Sequence, residues 1–97
     1  MDISKTLNGT EASIKIGGRL DTLTAPDLEK EIASITDAVS LVIDCAKLEY
    51  ISSAGLRVLL SAHKAFAKKG GMIVKNVNET VLDIFDVTGF KDILDIQ

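Results

Sequence analysis

The stretch Ile51-Ser52-Ser53-Ala54-Gly55-Leu56 is where this chain is best equipped for chemistry. Two serines stand at the head of a strongly periodic helical segment. One hydroxyl is enough to cap a helix by accepting from a free backbone N–H, and a second is then left over. A helix start also offers unpaired N–H groups and a partial positive charge, which suit a phosphate. The pair therefore reads as a cap, a phosphoacceptor, or one of each. It does not read as a hydrolase nucleophile. The stretch lacks the Gly-x-Ser-x-Gly elbow, and a serine needs a neighbouring base. The single histidine, His63, falls on the apolar face of the same helix and reads as a packed core residue. Asp21, in Gly18-Arg19-Leu20-Asp21-Thr22, is the second candidate. It is either a turn residue or an acid beside Ser53, able to bond the hydroxyl or repel a phosphate.

Other polar residues have plainer readings. Cys45 follows an apolar run and suits a small core position. Lys64, Lys68 and Lys69 form a solvated helix face, and Asp83, Asp86, Asp92 and Asp95 lack metal-ligand spacing. One Cys and one His cannot build the common zinc clusters. The phosphate-binding Gly-rich motifs are absent. No catalytic residue, metal or cofactor is expected.

The 97 residues suit a single domain, 1–97. Hydrophobic residues make up 46% and aromatic ones only 4%, so the core must be aliphatic. With 11 basic and 14 acidic side chains, the formal charge of −3 argues against nucleic-acid binding. The apolar runs are too short to insert in a membrane. The N-terminal residues lack a signal-peptide layout, and a lone cysteine fits a reducing cytoplasm.

The elements that must position Ser53 and Asp21 follow from hydrophobic periodicity. Ile3 to Leu7 is a weak strand and Asn8-Gly9 a hairpin turn. Ala12, Ile14 and Ile16 alternate as a strand that Gly17-Gly18 ends. Thr24 as N-cap, Pro26 in the first turn and Asp27 as a capping-box acid open a helix whose apolar face is Ala25, Leu28, Ile32 and Ile35. Leu41-Val42-Ile43 suits a strand buried on both faces. Ser53 to about Lys68 is a helix with Leu56, Leu59, Leu60, His63, Phe66 and Ala67 inward, stopped by Gly70-Gly71. Met72 to Val74 is a strand, Val81 to Phe85 a short helix, and Phe90 to Ile96 a final apolar turn or helix. The order β-β-α-β-α-β-α implies an α/β fold with a mixed four-stranded sheet and right-handed crossovers. Sites in open α/β sheets gather at the carboxyl ends of the strands. The loops Gly17 to Thr24, Cys45 to Ser53 and Val77 to Thr80 fall there.

Three segments, in this order, resemble the STAS domain, the family of sulfate transporters and anti-sigma-factor antagonists. They are Gly18-Arg19-Leu20-Asp21 with Thr24-Ala25 and Leu28; Leu41-Val42-Ile43-Asp44 with Leu48 and Tyr50 to Leu56; and Gly70-Gly71 with Val77 and Leu82 to Phe90. The resemblance implies a βα superhelix and a chain that is not an enzyme. Its free-standing size is most similar to an anti-sigma-factor antagonist. Such a protein binds an anti-sigma serine kinase, is released when that kinase phosphorylates it, and is reset by a serine phosphatase. The family's phosphoserine lies two residues before a glycine, which implies Ser53, with Ser52 an alternative. The family's usual Asp is Ser52 here, and its second hydroxyl is Ala54. Asp21 matches the loop acid. The implied partner-binding set is Asp21, Thr22, Ser52, Ser53, Ala54 and Arg57. Two other readings stand beside it: a structural STAS subunit of a transporter or signalling complex that is never phosphorylated, and a small-ligand or nucleotide binder.

Overall fold

Asp2–Asn8 (β1) and Glu11–Leu20 (β2) pair antiparallel, with Asn8 opposite Glu11. The hairpin loop is Gly9-Thr10, one residue later than the expected Asn8-Gly9. Gly9 alone in this loop has positive φ, at 64°, so a glycine in the first loop position serves the turn. The computed structural model describes residues 1–97. After β2 come Ala25–Ala33 (α1), Ser40–Ile51 (β3), Ser53–Ala67 (α2), Gly71–Lys75 (β4) and Glu79–Val87 (α3). A short 3-10 turn, Phe90–Asp92, leads to Asp95–Ile96 (β5).

The strands lie in sequence order, and β2 through β5 are parallel. The sheet thus has five strands, not the expected four. β5 is two residues long, too short for an alternating pattern. It is recognised only in three dimensions, where Ile96 pairs with Val74 and the Gln97 amide donates to the Val74 carbonyl.

Sequential parallel strands joined by crossovers of one hand place their helices on the same face. Burial agrees. Ala12 pairs with Leu41 and Leu41 with Met72; Ile14 pairs with Ile43 and Ile43 with Val74; all are buried. Leu28 of α1, Leu59 and Phe66 of α2, and Val81 and Phe85 of α3 complete this core, which contains no buried polar residue. On the opposite face Ser13, Val42, Asp44 and Ile73 are half-buried and Lys15 is exposed. The expectation that β3 is covered on both faces is therefore wrong. Val42 extends the apolar run without being packed under a helix.

Two irregularities lengthen the strands toward the site. Lys15 and Gly17 face Asp44 and Lys47, and Gly18 and Arg19 face Leu48 and Tyr50, so β3 carries an extra residue at each step. Such bulges bend and re-aim a strand. Gly17 permits the first, because a Cβ there would lie 3.1 Å from Lys47 Cβ. Gly17-Gly18 therefore does not end β2, which runs to Leu20, and most of the expected Cys45–Ser53 loop is strand. β3 parts from β4 after Asp44 but stays paired with β2 to Ile51. The two strands carry their ends past the rest of the sheet.

Candidate functional site

β2 and β3 end side by side, with Leu20 opposite Ile51, and the Ser52 amide donates to the Leu20 carbonyl at 2.9 Å. This bond ties the start of α2 to the loop that begins at Asp21. Ser52 is the N-cap residue, with extended backbone (φ −100°, ψ 178°), and its carbonyl accepts the Leu56 amide at 2.9 Å. Leu56 supplies the first amide to bond back along the helix. Those of Ser53, Ala54 and Gly55 precede it and have no intrahelical acceptor.

The two serines separate clearly. Ser53 is exposed at the first position of α2. The Ser52 hydroxyl oxygen is shut off from solvent, has no hydrogen-bond partner and does not cap the helix. Of the readings open for the pair, the cap falls away: neither hydroxyl caps α2.

Gly55 brings the helix close to the strands. A Cβ there would fall 2.6 Å from Leu20 Cγ and 2.8 Å from Ile51 Cγ1. The buried face of α2 is Gly55, Leu56, Val58, Leu59, Ala62 and Phe66. It is rotated from expectation, with Leu60 and His63 half-buried and Ala67 exposed. Val58 and Ala62, buried in their place, lie beside Glu29 and Ile32 of α1.

Asp21 opens a tightly bonded turn. Its Oδ1 accepts the Leu23 amide at 3.0 Å and the Thr24 amide at 3.2 Å, and its carbonyl accepts the Ala25 amide at 2.8 Å. The Thr24 hydroxyl accepts the Asp21 amide at 2.9 Å and donates to the Arg19 carbonyl at 2.8 Å. Thr24 precedes α1 but does not cap it, because its hydroxyl is used within the turn. Partial burial raises the Asp21 pKa. The Leu23 and Thr24 amides, the Thr24 hydroxyl and the Arg19 charge outweigh that and hold it below its ordinary value. The carboxylate serves its own turn, and its hydrogen bonds do not include the Ser53 hydroxyl.

Arg19 and Tyr50 complete this edge. They are paired across β2 and β3, and the guanidinium lies 4.3 Å from the Tyr50 ring centroid, with Nε 3.9 Å from Asp21 Oδ2. Neither was singled out as a site residue from the sequence. Their register appears only once both strands are known to run past their glycines and bulges. Thr22, Ala54 and Arg57 come together in a shallow groove of about 210 Å³ between α1 and α2. The expected set Asp21, Thr22, Ser52, Ser53, Ala54 and Arg57 therefore lies at one end of the molecule, around the heads of α1 and α2.

At the third loop, Asn78 caps α3 by accepting the Val81 amide at 2.8 Å and donates to the Leu48 carbonyl at 2.8 Å. It is a structural clasp. No group of His, Cys, Asp and Glu is arranged to hold a metal. Cys45 is free and buried, and desolvation, helped by the Asp44 charge, pushes its thiol up to about 12. No helix is long and apolar enough to cross a membrane.

The sequence model of the STAS domain matches residues 3–97. The chain belongs to the STAS domain family. An anti-sigma-B factor antagonist of Bacillus subtilis is 32% identical over 92 residues, covering 93% of this STAS chain and 84% of that protein. The crystal structure of an anti-sigma factor antagonist from Mycobacterium paratuberculosis superposes with a TM-score of 0.88 at 23% identity, covering 98% of this chain and 83% of that one. The phosphorylated form of SpoIIAA, a cell-fate determinant of Bacillus, superposes with a TM-score of 0.76 at 15% identity, covering 99% of this chain and 91% of that one. These structures share the fold of the STAS chain.

Proposed function

We propose that this STAS domain is an anti-sigma-factor antagonist that works by partner switching through Ser53. Unmodified, it binds an anti-sigma serine kinase. Phosphorylated on Ser53 by that kinase, it is released, and a serine phosphatase restores it. The chain is the substrate in this cycle and not an enzyme.

The observation that carries the reading is the contrast between the two serines. The Ser53 hydroxyl side chain is exposed at a helix start with free amides, whereas the Ser52 oxygen is shut off from solvent. A kinase can reach the first and not the second. The relative named as an anti-sigma-B factor antagonist supports the antagonist role, and SpoIIAA, which shares the fold, exists in a phosphorylated form.

A phosphate on Ser53 adds about −1.5 to −2 charges to a chain of formal charge −3. It sits at a helix start, so the fold tolerates it. A partner surface shaped around a hydroxyl must instead desolvate a dianion. Unpaired buried charge at an interface costs about 2–5 kcal/mol, which is roughly 30-fold or more in affinity. Asp21, Thr22, Ser52, Ala54 and Arg57 form the surrounding contact surface in this reading. The test is incubation with the kinase and ATP, followed by intact mass and site mapping. One phosphate on Ser53, absent from Ser53→Ala, is expected. A phosphate mapped to Ser52, or none, would overturn the assignment.

A further inference from the structure

The groove beside Ser53 does not stop at Arg57. Its lining includes Glu29 and Val58, and the same two residues line a second hollow of about 290 Å³ further along α1 and α2. The two hollows adjoin at these two residues and together make a trough between the helices. It opens at Ala54 and Arg57 and ends where the Lys69 ammonium sits 5.1 Å from the Phe66 ring centroid. From Ala54 to Phe66 it follows α2 for about 18 Å at 1.5 Å per residue, rather more than three helical turns.

Its floor is apolar. Val58 and Phe66 are buried, Ile35 is half-buried, and exposed Ala65 leaves room for an occupant. Its rim runs against the charge of the molecule. Arg57 and Lys69 mark the two ends and Glu29 lies between them, a net positive rim on a chain of formal charge −3. A trough of this length and floor fits the apolar face of a helix, and the rim selects one with acidic residues near both ends.

We propose that the α1–α2 trough receives an acidic amphipathic helix of the anti-sigma partner. This second contact extends from the Ser53 edge along the flank of the domain. The inference rests on the antagonist reading. It assigns that partner a contact whose floor is remote from the phosphate, so the phosphate acts on one end of a longer interface.

Two exposed alanines on α2 make a matched test. Ala65 lines the trough and Ala67 does not. Ala65→Glu places bulk and negative charge in the path of an acidic helix, while Ala67→Glu adds the same group outside it. Both positions are exposed, so both variants should melt with the wild type. Titrated with the purified anti-sigma kinase in a calorimeter, Ala65→Glu should bind at least tenfold more weakly, as expected for an interface anchor, and Ala67→Glu as wild type. Equal affinity of Ala65→Glu and wild type overturns the trough and leaves the antagonist reading in place. Failure of the wild type to bind the kinase overturns both. A wild-type dimer in sedimentation that Ala65→Glu dissolves would assign the trough to a second copy of this chain and refute the proposal.

Discussion

Gly55→Ala sets two well-known magnitudes against each other at the head of α2. By helix propensity alone the change should stabilise, since alanine is better than glycine inside a helix by about 1 kcal/mol. Packing opposes it. The added Cβ would stand 2.6 and 2.9 Å from Leu20 Cγ and Cδ2 and 2.8 Å from Ile51 Cγ1. Carbon atoms in contact prefer about 3.5–4.0 Å, so the methyl group is too close by about 1 Å. Leu20 is 0% exposed and Ile51 1%, so neither side chain can swing into solvent. Overpacking of this kind costs about 1–3 kcal/mol, and the net expectation is a destabilisation of about 1 kcal/mol. For a domain of this size each kcal/mol lowers the melting temperature by about 4–8 °C. Urea and thermal melts of the variant measure it. The double variant with Leu20→Ala, which vacates the space, should be more stable than the sum of the two single effects, with a coupling of about 0.5–3 kcal/mol. A Gly55→Ala protein that melts above wild type, or additive effects in the double variant, would refute the claim that packing dictates this glycine.

Asp44 should contribute to the acid limb of stability. Its Oδ1 accepts the Asn76 amide at 3.0 Å and the Ala46 amide at 3.0 Å. The Asn76 bond, against some desolvation and with help from Ala46, Lys75 and Lys15, lowers its pKa from 3.8. The unfolded state then binds more protons in that window, so this stability is present above the ordinary carboxylate pKa and is lost as pH falls through the folded value. Asp44→Asn should flatten the fall in urea midpoint between pH 7 and about pH 3; an unchanged slope would count against it. Asp21→Asn keeps an oxygen for the Leu23 and Thr24 amides but loses the charge that Arg19 favours, so it should fold as the wild type with a slightly lower melting temperature at neutral pH while phosphorylation or kinase binding weakens. Wild-type behaviour in both assays would confine Asp21 to its turn. Cys45, with its thiol pushed up to about 12 inside the core, should resist thiol reagents in the native protein at about pH 8 and react on unfolding. Rapid native labelling would mean that β3 opens.

What was legible in the sequence and what was not divide along physical lines. Helices and inner strands carry a period, and α2, β4 and the inward alternation of Ala12, Ile14 and Ile16 emerge where expected. The far halves of β2 and β3 were hidden. Glycines at 17 and 18 look like a stop, and the bulges turn the inward spacing of Cys45, Leu48 and Ile51 from two to three. That concealed Arg19 and Tyr50 as neighbours. β5 was hidden because two residues cannot display a pattern. The edge that brings Asp21 and Ser53 together was readable from the order of strands and helices. Which serine faces solvent was not, since rotating one hydroxyl away from the cap leaves no mark in the residue order.

In the proposed partner switch, a phosphate on Ser53 decides whether the partner is held. Calorimetric titration of the anti-sigma kinase with unmodified protein, Ser53-phosphorylated protein and Ser53→Ala measures it directly. Unmodified protein and Ser53→Ala should bind alike, and the phosphoprotein at least roughly 30-fold more weakly. Equal affinity of the phosphorylated and unmodified forms would contradict the account.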